Sequence, residues 1–140
     1  MVLRHFPKAR FVLMRREQED SIRSLVQVKQ KLADLVGLQP APDVRIQVEE
    51  TVVSHQQLLQ AFEASRCLIP DGQLLELDYN ELVDMPLNTV KRIYDRFHLT
   101  GWEKARGPIE SRITQARHYR AAAVQLPIEA EQRLQELVSP

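Results

Sequence analysis

Apolar positions along this chain follow two rhythms. Phe11-Val12-Leu13-Met14 is an unbroken apolar run of strand length, two of its residues β-branched or aromatic, and Leu74 to Asp78 reads as a second strand. Between them the spacing turns helical. Glu17, Glu19 and Asp20 load acids into a helix start, and Ile22, Leu25, Val28, Leu32, Leu35 and Val36 form its apolar stripe, closed by Gly37 at C′. Gln39-Pro40-Ala41-Pro42-Asp43 is a break. A second helix begins between Val44 and Glu50 and runs to about Arg66, with Val48, Val52, His55, Leu59 and Phe62 on one face.

Ile69-Pro70-Asp71-Gly72 has turn chemistry. Pro86 at N1, with Asp84 as a nearby cap, starts a third helix to roughly Phe97, buried along Leu87, Val90, Ile93, Tyr94 and Phe97. Gly101 to Gly107 reads as a loop carrying the single tryptophan. Pro108 and Pro127 read as N1 residues of two closing helices.

Two strands joined by roughly sixty residues of helix imply a parallel pair with a crossover. The expected class is α/β, helix-dominated, with a short parallel β-sheet, and residues 1–140 are of single-domain length. Two strands are too few for a stable open parallel sheet, which needs both faces and edges covered. A homo-oligomer, or another chain that completes the sheet, is therefore expected.

Composition narrows the partners. Nineteen basic and nineteen acidic side chains leave no net charge, so no global field favours nucleic acid or a membrane surface. Local basic clusters at Lys29–Lys31 and Lys91-Arg92 read as solvated helix faces. The single cysteine, Cys67, excludes an internal disulfide and fits a reducing, cytoplasmic compartment; its helix-end context suggests a half-buried structural thiol. No apolar run approaches the ~18 residues of a membrane span. His5, His55, His98 and His118 show no metal-ligand spacing, so no metal is expected, and His55 reads as a core histidine.

The candidate chemistry lies at the end of the first strand. Arg16 stands there, and Ser24 follows eight residues later on the second turn of the next helix. A guanidinium is a permanently charged, bidentate fork, and a helix start offers free N–H groups, so the two suit one phosphate. The plainer alternative for Arg16 is a surface arginine bonded to Glu19 or Asp20, with Arg15 solvated on the other side of the chain. For Ser24 it is a lone exposed serine.

The segment Phe6-Pro7-Lys8-Ala9-Arg10-Phe11-Val12-Leu13-Met14-Arg15-Arg16, followed by Asp20 and Ser24, resembles the 3′-phosphate-binding segment of sulfotransferases that use 3′-phosphoadenosine 5′-phosphosulfate (PAPS). Leu68-Ile69-Pro70-Asp71-Gly72, Leu75-Glu76-Leu77-Asp78-Tyr79-Asn80-Glu81-Leu82-Val83 and Pro86-Leu87 are similar to a downstream block of that family. Arg92-Ile93-Tyr94, Leu99 and Gly101-Trp102-Glu103 continue the likeness, and His118-Tyr119-Arg120 with Leu126-Pro127 resembles its closing helices. The likeness covers the carboxyl-terminal half of such an enzyme.

The resemblance implies the distal, 3′-phosphate-binding part of a three-layer, P-loop-like sulfotransferase fold. It also implies PAPS as cofactor and transfer of a sulfuryl group to a hydroxyl or amine acceptor. Arg16 and Ser24 would hold the 3′-phosphate, Tyr79 would approach the adenine, and Arg120 is a further candidate ligand. Tyr79 could instead be a strand-end tyrosine packed under the third helix, and Glu81 could cap local N–H groups.

Two departures weaken the pattern. Glu17-Gln18 replaces the family's Asn/Asp-Pro after the arginine, and Ala121-Ala122-Ala123 follows Arg120 where relatives carry polar residues. The glycine-rich cradle for the 5′-phosphosulfate has no counterpart among Gly37, Gly72, Gly101 and Gly107, so no catalytic residue is assigned and this stretch by itself is expected to be inactive. The competing readings are a non-catalytic protein-interaction module and an eroded or truncated remnant.

Overall fold

Both expected strands form. In the computed structural model, which describes residues 2–37, 42–116 and 124–138, β1 (Phe11–Arg15) pairs in parallel with β2 (Leu74–Asp78). The register sets Phe11 against Leu74, Leu13 against Glu76 and Arg15 against Asp78. The class is therefore a helix-dominated α/β fold with a short parallel sheet, as the crossover argument requires.

The chain divides into two compact units: Met1–Arg16 with Arg66–Ala121, and Glu17–Ser65 with Ala122–Pro140. The first holds the sheet, α1 (Val2–His5), α4 (Tyr79–Asp84), α5 (Pro86–Arg96) and α6 (Trp102–Ala116). The turn into β2 uses Gly72 at φ +82°, a left-handed position that suits glycine, and the Gln73 amide donates to the Pro70 carbonyl at 3.1 Å.

Several local readings change. Tyr79 does not end the strand; it opens α4, because the Asp78 carboxylate accepts from the Asn80 amide at 2.6 Å and caps the new helix. Pro86 does sit at the start of α5, but Met85 holds the cap position and Asp84 closes α4. Glu81 pairs with Arg92 at 2.5 Å. Thr89, 2% exposed, places its hydroxyl 3.0 Å from the carbonyls of both Glu81 and Met85, which ties α4 to α5.

The expected loop at 101–107 is helical. Gly101, at φ +87°, precedes α6 and accepts from the Ala105 amide at 3.0 Å, so the helix is already running when it reaches Pro108. Pro108 lies inside this helix at the cost of one backbone hydrogen bond, and does not start it. Cys67 is exposed, just beyond the end of α3, and is not half-buried.

In the second unit α2 (Gln18–Val36), α3 (Val44–Arg66) and α7 (Ile128–Val138) enclose a core of Ile22, Val26, Val48, Val52, Leu126, Ala130 and Leu134. On α3, Val48 and Val52 are buried as expected, while Leu59 is exposed. On α2 the expected stripe is displaced. Ile22 and Val26, one turn apart, are fully buried, but Leu25, Val28, Leu32, Leu35 and Val36 are exposed. A 3.6-residue period allows two neighbouring apolar faces on this helix, and the core covers the one through Ile22 and Val26.

Lys29, read as solvated, donates to the buried Thr51 hydroxyl at 2.9 Å. Gly37 ends α2 in extended backbone (φ −70°), its amide closing a last turn onto Ala33 at 2.8 Å, so no left-handed residue is needed. Pro127 precedes α7 by one position, where its carbonyl accepts from Ala130 and Glu131.

Arg23 is the ionic centre of this unit. It donates to both carboxylate oxygens of Glu131 at 3.0 Å and to Glu19 at 2.6 Å. Burial works against its charge, but the hydrogen bonds it donates to Glu131 and Glu19 outweigh that, so its pKa lies above the ordinary arginine value.

Candidate functional site

A parallel pair presents its carboxyl ends to one edge, the usual location of ligand sites in open α/β sheets. Here that edge carries Arg15, Arg16, Asp78 and Tyr79. Arg15 faces Asp78 in the register, so the next positions in line are Arg16 and Tyr79. The Arg16 guanidinium carbon lies 4.9 Å from the centroid of the Tyr79 ring, which is cation–π distance.

The expected alternative for Arg16, a bond to Glu19 or Asp20, is not what forms. Both acids pair with Arg23, at 2.6 and 3.3 Å. Among the described residues no carboxylate pairs with the Arg16 guanidinium, which is exposed.

Arg15 behaves differently from its neighbour. Its Nε donates to Glu76 at 2.6 Å, and Arg66 binds the other oxygen of the same carboxylate. This pairing replaces the solvated Arg15 read from sequence. Leu13 faces Glu76 in the register, and alternation puts Arg15 on the same side of the sheet as Leu13. The strand pattern therefore held a signal for the pair, but only once the register was known. Beside the sheet, the Arg10 guanidinium lies 5.7 Å over the ring of Phe97, itself 4% exposed.

Ser24 is half-buried on the second turn of α2 and belongs to the other compact unit. Arg120 lies outside the described residues. The site residues that the first unit brings together are thus Arg16 and Tyr79. No cluster of metal-binding side chains occurs among the described residues, and none of their helices is long and apolar enough to cross a membrane.

At this edge the protein can present one planar cation that pairs with no carboxylate among the described residues, held against an aromatic face. Such a group recognises a phosphate or sulfate dianion through two parallel N–H bonds. The neighbouring Asp78 carboxylate is engaged with the Asn80 amide.

No curated protein and no solved structure matches the chain. A family model does, over residues 1–104, a span that contains β1, β2, Arg16, Ser24 and Tyr79 and ends before Arg120. With its parallel pair, its arginine at the strand end and a match over most of its length, the chain belongs to the sulfotransferase family.

Proposed function

We propose that this chain supplies the 3′-phosphoadenosine side of a sulfuryl-transfer site whose donor is PAPS. Arg16 is the ligand of the 3′-phosphate. Tyr79 stands beside it at the same sheet edge. The observation that carries this reading is the Arg16 guanidinium at the carboxyl end of a parallel pair, exposed and without a carboxylate partner among the described residues. Bound PAPS would supply the sulfuryl group and leave as 3′-phosphoadenosine 5′-phosphate. The residues of this chain would anchor and orient its 3′ end, fixing where the donor sits relative to a hydroxyl or amine acceptor.

The test is thermal unfolding with and without 3′-phosphoadenosine 5′-phosphate, on this chain and on Arg16→Ala. Ligand at about a hundred times its dissociation constant adds ~2.7 kcal/mol, several degrees for a domain of this size. The shift is expected with Arg16 intact and not in the variant. A chain that unfolds cooperatively without any shift would defeat the reading.

A second reading, a protein-interaction module, is supported by the sheet itself. Val12 and Met14 of β1 remain 42% and 36% exposed in a pair of strands with open edges. On that reading a second copy or another chain completes the sheet. Sedimentation that finds only monomer at tens of micromolar, roughly the level where ordinary interfaces assemble, would count against self-association.

A further inference from the structure

Tyr79 has two possible relations to a nucleotide. Its ring can stack on the base, or it can hold the cation that reads the phosphate. A ring face covered by a guanidinium at 4.9 Å is not open to a base. The parallel register makes this contact a property of the sheet. Arg15 and Asp78 are the last paired positions of the two strands, and Arg16 and Tyr79 follow them in sequence. Tyr79 is also the first residue of α4, whose cap is the Asp78 carboxylate, so its backbone is fixed by local hydrogen bonding. Arg16, by contrast, is exposed and lies just beyond the last residue of β1. A long flexible side chain loses rotamer freedom when it binds an anion, and a preset stacking partner reduces that loss.

We infer that Tyr79 is a positioning residue for Arg16 and that the pair sets the preference for nucleotides carrying a 3′-phosphate, with no base stacking on the ring face that Arg16 covers. The inference rests on the nucleotide reading above and assigns Tyr79 a different role within it. Losing the ring should weaken binding of the 3′-phosphorylated nucleotide and leave the unphosphorylated one unchanged. Losing a base-stacking ring would weaken both alike.

The experiment compares dissociation constants for 3′-phosphoadenosine 5′-phosphate and adenosine 5′-phosphate in the wild type, Tyr79→Leu, Tyr79→Phe and Arg16→Ala. Tyr79→Leu should lower the ratio between the two ligands by about two- to fivefold, the range of an exposed cation–π contact. Tyr79→Phe keeps the ring and should keep the ratio. Equal weakening of both ligands in Tyr79→Leu would overturn the inference in favour of base stacking. A ratio lost in Arg16→Ala but intact in Tyr79→Leu would overturn it while leaving the nucleotide reading in place. A ratio unchanged in Arg16→Ala would remove both. Nuclear Overhauser contacts between the Arg16 δ-methylene and the Tyr79 ring protons in the wild type test the geometry without ligand, and their absence would overturn the inference directly.

Discussion

The two compact units of this chain are built on different terms. In the helical unit, seven apolar residues from α2, α3, α7 and the segment before α7 are shielded from water in one cluster. In the sheet unit, Leu77 and Phe97 are the deeply buried apolar side chains among the described residues, and the strands keep half-exposed faces. Helices satisfy their own backbones, so three of them need only side-chain packing to close a core. A parallel pair leaves backbone groups unpaired on both outer edges. The sheet unit carries instead a set of ionic and aromatic contacts: Arg15 and Arg66 on Glu76, Arg16 on Tyr79 and Arg10 on Phe97. The unit with the weaker core is the one that carries the candidate site.

The largest expected effect tests that contrast. Ile22→Ala removes a fully buried side chain and should cost about 2–5 kcal/mol, a large share of an ordinary domain's stability. Leu13→Ala, in a half-exposed strand, should cost only about 1 kcal/mol. Urea denaturation of both variants measures the two costs. Equal losses would mean that the strand is packed as tightly as the helical core.

Next comes the Arg23 centre. Glu131→Ala strips two hydrogen bonds from a guanidinium 19% exposed and also frees the Leu126 amide. A loss of about 1–2 kcal/mol is expected, discounted for partial solvent screening. Disrupting the exposed Arg106–Glu110 pair should change stability by less than about half that amount.

A gain is predicted in the sheet unit. After α5 the Leu99 amide donates to Tyr94 at 2.9 Å and the His98 amide to Asp95 at 3.2 Å, a Schellman closure. It places His98 at φ +50°, where a side chain is disfavoured. His98→Gly should raise stability by about 0.5–1 kcal/mol, seen as a higher unfolding midpoint. His98→Val should lower it.

The smallest effect is one of pH. At the start of α3, hydrogen bonds from the Arg45 side chain and backbone hold the Asp43 carboxyl below the usual aspartate range. A carboxyl depressed in the folded state stabilises above its unfolded pKa, and that stability is lost as pH falls through the folded value. The unfolding midpoint should therefore drop more steeply below about pH 4 in the wild type than in Asp43→Asn, which keeps the cap but has no charge. Parallel curves would show that the depression has no consequence for stability.

Much of this architecture was legible in the sequence because it is local. The apolar run at 11–14, the leucine-rich segment at 74–78, the turn at Pro70–Gly72 and the proline that opens α5 each constrain their own backbone, and each appears in the fold. The position of Arg16 at a strand end was readable for the same reason. Other elements escaped because local signals competed. Proline at 108 suggested a helix start, yet the helix had begun six residues earlier at Trp102. Tyr79 read as the strand's end because β2 gives way to α4 with no intervening residue, marked only by the Asp78 cap.

What only the tertiary structure decided is which surfaces meet. On α2 two apolar faces lie side by side, and packing by α3 and α7 selected the one through Ile22 and Val26. Arg16 meets Tyr79, and Arg15 meets Glu76, because a parallel register aligns residues far apart in the chain. Periodicity and turn chemistry act through dihedral angles over a few residues, and so the sequence by itself determined where strands and helices form. The partner of a side chain depends on register and packing, and these exist only once distant segments are brought together.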